Sequence, residues 1–382
     1  MGEAPITRWA WAEIDLGAVR HNMKVARDFV GEKTHILAVV KADGYGHGAI
    51  QVARTALDSG ADHLAVATVD EGIKLREGGI TAPILMLAEP PISAIPFILE
   101  NNLTPTVTTI DFALALGEQA DLAHRQAGFH LGVNTGMNRI GIHYTEAIEF
   151  LKTIDFHRGL RLEGVFTHFA TADASDDWDF KIQLSHFTEC IEAMRMAGID
   201  PGLVHCANSA SIIRYPQTYF DMVRWGICLY GLHPSSVTYG KADLRPAMSI
   251  HARVTHVKEP PLGEGVSYGL LYRSPGSVQI ATLPLGYADG LRRNLSDNMS
   301  VLYKGYLMPQ VGRICMDQCM FEVSPGPSRV HPVPRVEVGD EVVIIGEQGD
   351  NLMTLDMMAD ALGTINYELA CGFGMRLPRV YV

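Results

Sequence analysis

From residue 36 to about residue 230 the chain alternates short apolar runs with longer amphipathic stretches. The runs predict strands over 36–41, 63–67, 83–88, 104–107, 128–133, 162–168, 203–207 and 222–230. Helical spacing covers 50–59, 70–78, 109–119, 145–154 and 179–197 between them. Strands separated by crossovers of helix length pair in parallel. Eight such units predict an α/β fold, a closed (β/α)8 TIM-type barrel. A doubly wound open sheet is the alternative, but no Gly-x-Gly-x-x-Gly fingerprint opens the first unit.

The pattern changes near Leu232-His233-Pro234, and residues 235–244 are polar and turn-rich. Beyond them the chain reads as strands over 248–257, 277–283, 311–323 and 336–345, then a helix over 354–368. The expected division is a barrel domain, 1–238, and a C-terminal mainly-β domain, 239–382. The first ten or so residues are expected to pack with the second domain.

Composition narrows the class. The 382 residues are 47% hydrophobic and 19% charged, enough for a large core. Net charge is −12 with no basic block, which argues against nucleic acid as a partner. No apolar run approaches about 18 residues without a charge, so no membrane span is expected. Six scattered cysteines read as small buried hydrophobes in a reducing, cytoplasmic setting, and their spacing does not suggest a metal site.

In a barrel, the residues at the C-terminal ends of strands line the active site. Those positions and the loops after them carry Lys41, Tyr45, Arg139, His168, Asn208, Ser209 and Arg224. A lysine leaving a strand for solvent is the ordinary reading of Lys41. Yet Val39-Val40-Lys41 runs into a glycine-rich loop, Gly44-Tyr45-Gly46-His47-Gly48, whose backbone can come close to a ligand. An amine kept partly dry there can attack a carbonyl. Asn208-Ser209 reads either as a helix cap or as a phosphate site at a helix start. Arg224, inside Met222-Val223-Arg224-Trp225-Gly226-Ile227, is a charge in an apolar run and needs a partner. An amine for an aldehyde, a phosphate cradle and a buried arginine together suit pyridoxal 5'-phosphate.

Here the chain resembles the alanine racemases, pyridoxal phosphate enzymes of fold type III, along its whole length. The resemblance rests on 38–48, Thr135-Gly136-Met137-Asn138-Arg139, Thr167-His168-Phe169-Ala170, Ala207-Asn208-Ser209, 223–231, Val266-Ser267-Tyr268-Gly269, Leu285-Gly286-Tyr287-Ala288-Asp289-Gly290 and Arg313-Ile314-Cys315-Met316-Asp317-Gln318. It implies that Lys41 anchors the cofactor and acts as one base. Tyr268, contributed by the partner subunit of a homodimer, would be the base on the other face. Arg224 would face the pyridine nitrogen, with His168 linking it to the Tyr268 phenol. Tyr45, Ser209, Gly226, Ile227 and Tyr367 would hold the phosphate, with Asn208 beside them. Arg139 would bond the cofactor's phenolic oxygen and help place the substrate carboxylate, with the backbone at Met316. Asp317 and Tyr287 would line the substrate entrance. The D-alanine formed would supply peptidoglycan.

Two bases are what the chemistry asks for, because one group cannot easily serve both faces of a planar carbanion. A phenol can act near neutral pH only if positive charge stabilises its anion, and Arg224 through His168 is the candidate. A guanidinium also leaves the pyridine nitrogen unprotonated, which makes the ring a weaker electron sink. The rivals are a serine or broad-specificity racemase on the same scaffold, a decarboxylase on the same barrel and a non-catalytic cofactor-binding protein. A decarboxylase would place a carboxylate where Arg224 stands. The non-catalytic proteins resemble the barrel alone, without a β domain carrying Tyr268.

The family's usual pattern fails at Gly132, where many members carry a carbamylated lysine that orients the arginine at the Arg139 position. Asn134, a water or an anion is expected to support Arg139 instead.

Overall fold

The computed structural model describes residues 7–324 and 333–382. The chain divides into two compact units, Gly17–Arg245 and, among the described residues, 7–16 together with 246–324 and 333–382.

Eight parallel strands form the ring of the first unit: β1 (His35–Val39), β2 (His63–Val66), β3 (Ile84–Met86), β4 (Thr106–Val107), β5 (Ala127–Asn134), β6 (Leu160–Phe166), β7 (Leu203–His205) and β8 (Met222–Trp225). Hydrogen-bonded ladders join β8-β1-β2-β3 and β4-β5-β6-β7. A bridge between Leu85 and Thr104 connects β3 to the start of β4. Bonds from Asp221 to Val204 and from Arg224 to Ala207 connect β8 to β7. The ring therefore closes, as the strand periodicity predicts. Helices follow the strands at Ala49–Asp58, Val69–Glu77, Ile95–Glu100, Ile110–Leu122, Ala147–Ile154, Trp178–Met196 and Ser209–Arg214.

A barrel of this kind normally fills its interior with layers of branched apolar side chains. This one buries Thr106, His130, His205 and Arg224 inside it. Gly164 makes room for the column, since a Cβ there would lie 2.5 Å from Cε1 of His130.

The second unit is mainly β. Its largest sheet runs Tyr306–Pro309, Ser300–Tyr303, Glu341–Gln348, Met248–Arg253, Ala10–Ile14, Arg379–Tyr381. A smaller sheet joins His256–Lys258, Gln279–Leu283 and Cys319–Val323. Ala10–Ile14 pairs antiparallel with Met248–Arg253, with Ala12 opposite Ile250. Of the first ten residues, 1–6 lie outside the described part; from residue 7 onward they belong to this unit.

Several expected elements are shorter or split. The strand expected over 222–230 ends at Trp225, and Ile227–Tyr230 is a 3-10 turn. Only Cys319–Val323 of the strand expected over 311–323 is a strand, because Gly312 has φ +68° and its N–H is held by Asp297. The strand over 248–257 breaks after Arg253, and that over 336–345 starts at Glu341. The helix over 354–368 is two, Leu355–Leu362 and Asn366–Gly372, parted by Gly363 in the left-handed region. Cys371 is exposed and Cys315 half-buried, unlike the other four cysteines. Among the described residues no helix is long and apolar enough to cross a membrane.

Candidate active site

The residues expected to act together fall into two groups. Lys41, Tyr45, Arg139, His168, Asn208, Ser209, Arg224, Gly226 and Ile227 belong to the barrel unit, and Tyr268, Tyr287, Met316, Asp317 and Tyr367 to the other.

β1 ends one residue before Val40, and Lys41 opens a turn of unusual hand. Ala42, Asp43, Gly44 and Tyr45 all have φ between +50° and +64°. A left-handed turn of L-residues costs roughly 1–2 kcal/mol per residue, so the surroundings must hold it. Glu71 accepts from Ala42 N–H at 2.6 Å, and Asp43 accepts from Lys74 at 2.9 Å. The Tyr230 ring packs on those of Tyr45 and His47, while its hydroxyl donates to Val39 O at 2.9 Å. The result presents a half-buried Lys41 and a buried Tyr45 at the C-terminal end of the barrel.

Arg224, on β8, is 3% exposed. Its guanidinium donates to the carbonyls of Thr167, Cys206 and His205 at 2.8, 2.9 and 3.2 Å. It also reaches Nδ1 of His205 at 3.0 Å and Nδ1 of His168 at 3.1 Å. No carboxylate pairs with it among the described residues. Burial lowers its proton affinity to about 10, so it stays charged at neutral pH. His168 is held well below the usual imidazole range by burial first, then by the charges of Arg224, Arg139 and Lys41. A guanidinium has no acceptor, so the Nδ1 of His168 accepts. The neutral ring then carries its proton on Nε2.

Tyr45, Ser209 and Gly226 converge from three strand ends. Gly226 N–H donates to Ser209 Oγ at 2.9 Å. A Cβ built on Gly226 would sit 3.4 Å from the Tyr45 hydroxyl and 3.6 Å from Ser209 Oγ. The glycine thus leaves open a space ringed by hydroxyls, beside the turn that starts at Ile227. Asn208 does the ordinary job, since its side chain accepts from Ser211 N–H at 3.0 Å and caps the helix behind Ser209. This arrangement fits pyridoxal phosphate, with hydroxyls for the phosphate, a lysine for the aldehyde and a fixed positive charge for the ring nitrogen.

Arg139 lies exposed in the bend after β5 and makes no hydrogen bond among the described residues. The Asn134 support expected for it is not there. Asn134 Oδ1 accepts from Gly136 and Asn138 N–H at 3.1 and 3.0 Å, so the turn uses it. A Cβ at Gly132 would meet the Thr108 and Thr106 methyls at 2.9 and 3.1 Å.

In the other unit, Tyr268 is 71% exposed on a loop where Ser267, Gly269 and Leu270 all have positive φ. Ser267 Oγ pins that loop to Arg313 O at 2.7 Å. Tyr287 and Ala288 donate from their backbones to Cys315 O and Met316 O, both at 3.0 Å, which couples the segments that carry Tyr287 and Asp317. Asp317 accepts from Arg376 at 2.6 Å. Tyr367 is half-buried in Asn366–Gly372.

Sequence reading missed His130, His205 and Glu71. The histidines stand inside strands among apolar residues, which was the available signal; Glu71 gives none, because its role depends on the left-handed turn.

Such a barrel mouth defines the fold-type III pyridoxal phosphate enzymes. Comparison with known proteins narrows this. Residues 14–234 match the family model for the alanine racemase N-terminal domain, and 247–381 that for the C-terminal domain. An alanine racemase of Desulfovibrio desulfuricans is 45% identical over 98% of both chains. The solved alanine racemase of Bacillus anthracis with bound L-Ala-P superposes with a TM-score of 0.91 at 39% identity, over 99% of this chain and 96% of that one. A histidine racemase of Leuconostoc mesenteroides superposes at 0.88 with 30% identity, over 100% of this chain and 99% of that one. The chain belongs to the alanine racemase family, whose members are pyridoxal phosphate-dependent isomerases.

Proposed function

We propose that Lys41 and Tyr268 are the two bases by which this racemase interconverts L- and D-alanine. Pyridoxal phosphate, when bound, supplies the electron sink that acidifies the α-proton. Tyr45, Ser209, Gly226, Ile227 and Tyr367 hold its phosphate, behind the helix capped by Asn208. Lys41 takes or returns the proton on one face and Tyr268 on the other. Arg139 and the Met316 backbone orient the substrate carboxylate, and Tyr287 and Asp317 restrict the way in.

The observation that carries this reading is the hydrogen bond from Arg224 to Nδ1 of His168. It leaves His168 Nε2–H as a donor suited to a phenolate, which is what a tyrosine base requires. Tyr268, exposed on a pinned and strained loop, suits a residue lent to a neighbouring subunit, so the working form would be a homodimer with shared sites. No disulfide joins the six cysteines, all of them among the described residues, which suits a reducing compartment, and a cytoplasmic supply of D-alanine for peptidoglycan is the role in view.

Mixing Lys41→Ala with Tyr268→Phe tests the assignment. Random exchange should restore about a quarter of wild-type activity, because half the dimers regain one intact site of two. No rescue with exchange verified would overturn it. The histidine racemase on the same scaffold favours one second reading, a wider side-chain range. A panel of L-amino acids scored for the D-enantiomer separates the two, since a pocket discriminates one added hydroxyl only modestly.

A further inference from the structure

The polar column inside the barrel does not stop at Arg224. Nη1 of Arg224 reaches Nδ1 of His205 at 3.0 Å, and Nε2 of His205 lies 2.8 Å from Nδ1 of His130. The direction of these bonds follows from the chemistry. Arginine only donates, so His205 accepts at Nδ1 and, being neutral, carries its proton on Nε2. His205 then donates to His130 Nδ1, and neutral His130 must carry its proton on Nε2. Burial, first of all, holds both rings neutral, with His130 pushed down to about 3.

No hydrogen-bond partner for that outer N–H exists among the described residues, and His130 is 4% exposed. It lines a cavity of about 390 Å³ formed by the N-terminal ends of the strands, opposite the end that carries Lys41. Leu37, Leu85 and Leu203 supply apolar walls, and Arg161 and Glu163, hydrogen-bonded to each other, are the charged residues of its lining. The volume lies at the small end of ligand pockets. Among the described residues no three groups are placed to hold a metal ion.

We infer that this cavity is a second ligand site, separate from the catalytic one, that takes a short aliphatic monocarboxylate. The carboxylate accepts from His130 Nε2–H, the chain lies on the leucines, and Arg161 adds attraction. Arg224, a buried cation with no carboxylate partner among the described residues, adds favourable potential along the axis. Glu163 disfavours more than one negative charge. Occupancy polarises the His130–His205–Arg224 chain, which couples the site to the far end of the barrel.

Trifluorobutyrate is the probe, read by fluorine NMR line broadening on the holoenzyme. Racemic alanine at saturation keeps the catalytic site filled, so the readout is binding and is independent of the assignment of the two bases. Broadening should persist there, disappear in Leu203→Trp, and shift to at least threefold tighter binding in Glu163→Gln. Broadening abolished by alanine, or affinity unchanged in Glu163→Gln, overturns the site. The Glu163 variant keeps the shape of the side chain and an acceptor for Arg161 and Thr104, so it decides the matter if Leu203→Trp does not fold.

Discussion

Nη2 of Arg224 donates to Nδ1 of His168 across 3.1 Å. The bond fixes the imidazole tautomer, and the buried guanidinium is also a cation that cannot protonate the pyridine nitrogen. Arg224→Lys keeps the charge but one ammonium cannot span two histidines and three carbonyls. The expected loss in kcat/KM is about 100-fold, or roughly 2.7 kcal/mol of transition-state stabilisation. Arg224→Glu should instead raise the fraction of turnovers ending in transamination, read as accumulating pyridoxamine phosphate. An unchanged partition would count against the role given to Arg224.

The histidine column makes the barrel acid-labile. His130 and His205 are neutral in the folded state, with proton affinities depressed first by burial. Unfolded, each would titrate near the ordinary imidazole value of about 6.5. Below that pH the unfolded chain binds protons that the folded chain refuses, so stability falls as pH falls. The loss begins at about 6.5 and continues toward the folded value, which is about 3 for His130. His130 alone then costs about 1.4 kcal/mol per pH unit, on the order of 3 kcal/mol two units below 6.5, and His205 adds to it in the same direction. Denaturant unfolding at pH 7 and pH 5 measures the difference, and His130→Gln should shrink it, with His205 and His168 contributing the remainder. A difference of the same size in the variant would mean that other groups drive acid unfolding.

At Gly132, where the resemblance to the alanine racemases implies a carbamylated lysine, the Thr108 and Thr106 methyls take up the space. Their closeness to a built Cβ, 2.9 Å for Thr108, leaves little room for a side chain. Activity should therefore be independent of bicarbonate, assayed in degassed buffer with and without added bicarbonate. Gly132→Lys should not recover a bicarbonate-stimulated enzyme by itself, because the lysine stem must first displace Thr106 and Thr108; overpacking of this kind costs typically 1–3 kcal/mol. Stimulation of the natural enzyme by bicarbonate would show that some other lysine carries the carbamate.

What the sequence made legible, and what it hid, divides along the range of the interactions. The barrel strands are apolar runs whose period is local, so β2 was expected over 63–67 and lies at His63–Val66. The run 222–230 is equally apolar, but Gly226 at ψ −106° turns the chain out of the strand, a decision made by Ser209 from another strand end. The strand Ala10–Ile14 was missed although its alternation is plain: Ala10, Ala12 and Ile14 are buried. Its partners lie more than two hundred residues away, and only the pairing makes a five-residue alternation decisive. The left-handed turn after Lys41 carries no propensity signal at Ala42 or Asp43, because it is imposed by Glu71, Lys74 and Tyr230.

Asp289 is the fixed point of the segments that carry Tyr287 and Asp317. It is fully buried and accepts from both terminal nitrogens of Arg8, at 2.5 and 2.6 Å. Its second oxygen also takes the N–H of Gly286 at 3.0 Å, while Arg376 approaches at 3.4 Å and reaches on to Asp317. Gly286 begins the segment that carries Tyr287, so Asp289 holds the backbone before Tyr287 and, through Arg376, the Asp317 side chain. Asp289→Asn removes a buried charge and strands Arg8, and roughly 3–5 kcal/mol of stability should go with it. Because Arg8 and Asp289 are direct partners, Arg8→Met combined with Asp289→Asn should cost less than the sum of the single variants. The functional signature is a raised KM with a smaller change in kcat, since the lost constraint acts on the way in rather than on the bases. Additive stability losses, or a kcat effect that dominates, would mean that the pair supports the fold without positioning the entrance.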